Sequence, residues 1–165
     1  MYTDKNLRVS TEQAITSGTP VSTDSVDLTV ARDIGEGKSF YAYVTVQTTF
    51  TGGNGLAVQV ITGTGVDSNG QINAGIQVIG ASDSIPVAAL LGPTGQKSGY
   101  VYAIRINPLV AGITASTASQ ENRGARYLGL RYVADGTFGA GKVNAEFVVD
   151  IQDGRKAYSS GFTVV

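Results

Sequence analysis

Two runs of alternating apolar and polar residues lie on either side of a glycine-punctuated corner between Val26 and Phe50. The first sets Val26, Leu28 and Val30 against Asp27 and Thr29. The corner reads Arg32-Asp33-Ile34-Gly35-Glu36-Gly37, and a longer run starts at Ser39. A repeat of two sends successive side chains to opposite faces of a strand, so residues 26–30 and 39–49 are both predicted as half-buried strands. Gly35 and Gly37 suit the positive φ that a sharp change of direction requires. A local ion pair between Arg32 and Asp33 fits such a corner. The same charged residues also fit a contact against a partner surface.

The pattern recurs along the chain. Further strands are predicted at 56–62, 100–106, 126–134 and 142–151, with weaker ones at 7–9, 76–79 and 86–91. Thr51-Gly52-Gly53-Asn54-Gly55 predicts a hairpin between the second and third main strands, because Asn-Gly favours the tight turns that reverse a strand. Residues 64–75, rich in Gly, Asn and Asp, read as loop, and Gly92-Pro93 marks a turn. In strand 142–151, Val143, Ala145, Phe147 and Val149 form the core face. No helical period extends over a usable window. About eight strands at turn spacings of roughly eight to twelve residues predict an all-β antiparallel sandwich or barrel. An eight-stranded jelly roll is one such architecture, and an immunoglobulin-like sandwich has the same periodicity. The expected layout is one domain at 23–151. A polar N-terminal arm precedes it at 1–22, and a C-terminal extension follows at 152–165.

Composition narrows the chemistry. The 165 residues include no His, Cys or Trp. Disulfides, a thiolate nucleophile, thiolate zinc sites and the usual general base are therefore all missing. Twelve basic against thirteen acidic residues leave no basic footprint for nucleic acid or an anionic membrane surface. The N-terminus MYTDKNLRVSTEQ has no apolar signal-like core, and no window of eighteen apolar residues occurs. Asp67-Ser68-Asn69-Gly70 looks like half a calcium loop, but Val78 stands where the closing Glu would be needed. No spacing singles out a carboxylate pair for glycoside hydrolysis. Tyr41, Tyr43, Tyr100, Tyr102, Tyr127 and Tyr132 fit half-buried strand positions or an interface belt. The expectation is a protein without catalytic activity, cofactor or metal.

The corner VDLTVARDIGEG and the strand region YAYVTVQTTFTGGNGLAVQV after it carry a resemblance. So do the late stretch ARYLGLRYVADGTFGAGKVNAEFV and the leader STEQAITSGT. Their order and spacing resemble the small cement (decoration) proteins that tailed double-stranded-DNA bacteriophages attach to the outside of their heads. Thr29-Val30 and the extension from Gln152 to Val165 depart from the family pattern. The resemblance implies a jelly-roll domain on the outer surface of the virion head that bridges neighbouring copies of the major capsid protein. A homo-oligomer would engage several capsid subunits at once so that modest contacts add by avidity, and closed symmetry makes a dimer the default expectation and a trimer the next. The expected partner contacts are Arg32, Asp33 and Glu36 at the corner, the N-terminal arm, and Tyr158 and Phe162 in the tail. A tail-fibre or receptor/carbohydrate-binding β-sandwich module is the alternative, although repeats and stalk segments are absent from the sequence.

Overall fold

The computed structural model describes residues 7–29, 32–33, 40–94, 99, 101–106 and 123–148. The described chain is nearly all β, with antiparallel sheets packed as a sandwich. The principal strands are β1 (Arg8–Ala14), β2 (Val26–Asp27), β4 (Phe40–Gly52), β5 (Gly55–Gly63), β8 (Gln77–Ala81), β10 (Val101–Ile106), β12 (Tyr127–Asp135) and β13 (Phe138–Val148). Short pieces fill the gaps: β3 (Arg32–Asp33), β6 (Gly65–Val66), β7 (Ile72–Ala74), β9 (Ile85–Pro86) and β11 (Arg123–Gly124). One sheet has the order β1-β13-β4-β10, and the facing sheet β2-β12-β5-β8 with β9 also on β5. Chain-distant strands thus become neighbours in both sheets, an order consistent with a jelly roll.

The alternation sets the core. Ala42, Val44 and Val46 of β4 pack with Val143, Ala145 and Phe147 of β13 on one inner face. Leu56, Val58 and Val60 of β5 and Leu128, Leu130 and Tyr132 of β12 form the other. Val149, expected on the same core face, lies outside the described residues.

Several elements differ from the sequence expectation. Within the described part of the run at 26–30, which ends at Thr29, the strand covers Val26–Asp27 because Thr29 adopts φ +68 and turns the chain away. Residues 51–55 do not close a hairpin: β4 and β5 lie in opposite sheets, so the Gly-Asn turn carries the chain across the sandwich. Its positive φ angles fall on Gly52 (+74) and Gly53 (+65) rather than on Asn54-Gly55. The Gly-rich step between β12 and β13 is a second crossing of the same kind. The two corners abut. The Asn54 amide donates to the Asp135 carbonyl at 2.7 Å, and a Cβ on Gly136 would meet Gly53 Cα at 3.1 Å.

The stretch at 64–75 is a small hairpin of β6 and β7 rather than a loop. Its tip is closed by Asp67, whose Oδ1 accepts the amides of Asn69 (2.8 Å) and Gln71 (3.0 Å). The weak strand expected at 86–91 is β9 followed by a single 3-10 turn, Val87–Ala89.

The described part of the polar N-terminal segment belongs to the sandwich. β1 pairs with β13, and its run is longer than the short strand expected at 7–9. Val9 and Ile15 enter the core with no exposed surface. The remaining buried face of β1 is polar. Ser10 Oγ donates to Gln13 Oε1 (2.7 Å) and shares a hydrogen bond with the Tyr132 hydroxyl of the facing sheet (2.8 Å). Gln13 Nε2 then donates to the Val21 carbonyl at 2.7 Å. Burial pushes the Tyr132 phenol above its usual value of 10, so it stays neutral and serves as a fixed tie between the sheets. Residues 18–22 run beside β12, with backbone bonds from Ser22, Tyr132 and Ala134 to Leu130, Pro20 and Gly18.

Candidate functional site

The expected contact residues are only partly within the described chain. Arg32 and Asp33 form β3, whose backbone pairs with Gly124 and Arg123 of β11. Glu36, Tyr158 and Phe162 lie outside the described residues, as does the part of the arm before Leu7. The described strands on either side of the corner, β2 and β4, lie in different sheets.

The end of β2 is held by a clasp that sequence reasoning did not identify. Arg126 meets the Asp27 carboxylate with both arms of its guanidinium, Nε to Oδ1 at 2.9 Å and an Nη to Oδ2 at 2.8 Å. Two parallel bonds of this kind give geometric definition as well as attraction. Asp27 Oδ1 also accepts the Thr29 amide at 2.7 Å, which supports the left-handed backbone there. The Leu28 amide donates to the Arg126 carbonyl at 2.8 Å, and the guanidinium lies over the Tyr127 ring, 5.1 Å from its centroid. The two stretches that carry the resemblance, one beginning at Val26 and the other at Ala125, are therefore joined here. Asp27 two residues before Thr29 is a local turn signal. Nothing local pointed to Arg126, ninety-nine positions away.

The Arg126 hydrogen bonds, followed by the Thr29 amide, hold the Asp27 carboxyl at about 2, below its ordinary 3.8. A carboxylate so acidic is poorly suited to general-base work near neutral pH. Its role here is to anchor the chain. Because the folded-state value is depressed, the clasp contributes stability above about 3.8 and loses it as pH falls through about 2. Both side chains are near half exposed (42% and 50%), so solvent screening keeps the contribution small. Thermal melts of wild type and Asp27→Asn should differ slightly at pH 5 and converge toward pH 2. A difference unchanged across that range would show that the charge pair contributes nothing.

A polar cleft lies on the outer face of the β1-β13-β4-β10 sheet, bordered by Arg8, Tyr43, Thr45, Gln47, Asn144 and Glu146. At about 80 Å³ it is small beside the roughly 300 Å³ and upward of small-molecule sites. Among the described residues, no group of three or more Asp or Glu side chains is placed to hold a metal ion. The tyrosines separate: Tyr132 is fully buried, Tyr43 nearly so, and Tyr41 and Tyr127 are half-buried.

The Bbp16 family profile matches residues 9–147, from Val9 in β1 to Phe147 in β13. The chain belongs to the Bbp16 family. Bbp16 is a phage-related family, and its matched span covers both sheets of the sandwich. β1 from Val9 onward with its Ser10–Gln13–Tyr132 tie, both sheet-crossing corners and the Asp27–Arg126 clasp all fall inside that span. No curated protein matches the chain.

Proposed function

We propose that this Bbp16-family domain is a structural component of a phage virion that binds the outside of the head and bridges neighbouring major capsid protein subunits. The observation that carries the reading is the match of a phage-related family across the whole sandwich. The resemblance of the corner and late strands to cement proteins directs it to the head, and the all-β sandwich is compatible with a phage structural protein. The action is contact rather than catalysis, in keeping with a chain that has neither His nor Cys. A homo-oligomer would let several modest contacts to the shell add by avidity.

Purified protein added to heads that lack it should bind saturably and survive washing. Electron microscopy should then show regular density on the outer shell surface. Arg32→Glu should lower that occupancy. Failure to bind heads, or density confined to the tail, would overturn the reading.

A further inference from the structure

The chain contains two Asn-Gly steps, Asn54-Gly55 and Asn69-Gly70. An asparagine followed by glycine is open to attack on its own side chain, because no Cβ shields the next backbone nitrogen. The two steps sit in very different surroundings. We infer that Asn69 is a site of spontaneous conversion to aspartate and isoaspartate, and that the fold protects Asn54 from the same reaction.

In this reaction the Gly70 backbone nitrogen gives its proton to hydroxide and attacks Asn69 Cγ. A new C–N bond closes a five-membered imide, the Cγ–Nδ2 bond breaks, and ammonia leaves. Water then opens the imide at either carbonyl. One route yields aspartate; the other yields isoaspartate, with an additional methylene in the main chain. No oxidant or reductant is consumed.

Attack requires the peptide after the asparagine to rotate toward the side chain. At Asn54 the peptide groups on both sides of the residue and its side-chain amide are held. Its carbonyl accepts the Val87 amide at 2.9 Å, its own amide donates to the Asp135 carbonyl at 2.7 Å, and Nδ2 donates to Asp135 Oδ1 at 3.3 Å. Gly55 is buried and pairs with Asp135 on one side and Pro86 on the other. Rotation there would dismantle both sheet-crossing corners.

Asn69 is exposed at the tip of a hairpin whose strands are two and three residues long. Among the described residues, nothing bonds its side-chain amide or its carbonyl. The Gly70 nitrogen is tied by a single 3.1 Å bond to the Asp67 carbonyl, and no atom lies within 4 Å of where a Cβ would project from Gly70. Opening so short a tip costs far less than opening a sheet. The product would alter the turn. A carboxylate would join Asp67, and the isoaspartate methylene would lengthen the loop that sets the β6–β7 register.

The test is peptide mapping by mass spectrometry of the full chain, aged at mildly alkaline pH, with fragmentation that separates the two positions. In the folded protein, conversion at Asn69 should exceed that at Asn54 by roughly tenfold or more, the factor that about 1.4 kcal/mol of extra opening cost produces. In denaturant the two rates should converge. Equal rates in the folded state, or faster conversion at Asn54, would overturn the inference. So would an Asn54 that stays slow in denaturant, since the protection would then not come from the fold.

Discussion

Replacing Phe138 with alanine should cost about 3–5 kcal/mol of unfolding free energy, the range for a buried aromatic truncated to Ala. In a domain of this size the midpoint of thermal unfolding should fall by on the order of 10 °C. Phe138 opens β13 and is 2% exposed. Its ring meets Phe50 edge-to-face, with centroids 4.9 Å apart and planes at 83°, an arrangement that adds to simple burial. It also lies against the first corner, where a Cβ on Gly53 would come within 2.7 Å of the ring. The two aromatic rings thus close one end of the sandwich, where β4 and β12 both leave their sheets. Truncation opens a cavity bounded by backbone corners, which cannot collapse without moving both. Circular dichroism melts and urea titration would measure the loss. A cost below about 1 kcal/mol would mean that this end repacks and that the corners are softer than their glycines imply.

The second large effect concerns a residue on the outside of a sheet. Ile72→Ala should cost about 2–5 kcal/mol although Ile72 is not part of the main core. Ile72 is 3% exposed because the β6–β7 hairpin folds back over the outer face of β5 and β12. Two glycines make room for it. A Cβ on Gly129 would meet Ile72 Cδ1 at 3.0 Å, and a Cβ on Gly63 would collide with Ile72 Cγ2. Ile61, fully buried on that same outer face, shares the cover. Amide exchange should show lost protection at 65–74 together with a lower melting point. Wild-type protection in the hairpin would show that its backbone ladder, rather than the Ile72 plug, holds it down.

These two sites show where sequence reasoning stopped. Strand identity was legible because a half-buried strand must alternate: 39–49, 56–62, 100–106 and 126–134 fall on β4, β5, β10 and β12 with small shifts at the ends. Sheet membership was not legible. Thr51-Gly52-Gly53-Asn54-Gly55 has the chemistry of a hairpin, yet β5 pairs with β12 and β4 with β13. A tight glycine turn reverses the chain equally well within one sheet or between two, and the choice depends on strands some eighty residues further on. The hairpin at 64–75 was hidden for a related reason: its polar composition reads as loop, and the one apolar residue that anchors it finds its socket between adjacent Gly63 and distant Gly129. The polar character of β1 likewise disguised how far the strand expected at 7–9 continues, with buried Ser10 and Gln13 satisfied by Tyr132 and Val21.

The candidate contact region divides along the same line. Charged residues beside glycines marked Arg32-Asp33-Ile34-Gly35-Glu36 as a place where the chain turns, a local property of backbone freedom. The clasp at the end of β2, Asp27 to Arg126, joins residues ninety-nine apart, and Ile34, Gly35 and Glu36 lie outside the described residues. By itself the sequence determined that this is an all-β chain of alternating strands, because side-chain periodicity is imposed by the strand backbone before any partner is met. Only the tertiary structure decided which strands share a sheet, which glycines are corners and which polar residues are buried. Those outcomes depend on hydrogen-bond and packing partners that come together only when distant segments meet.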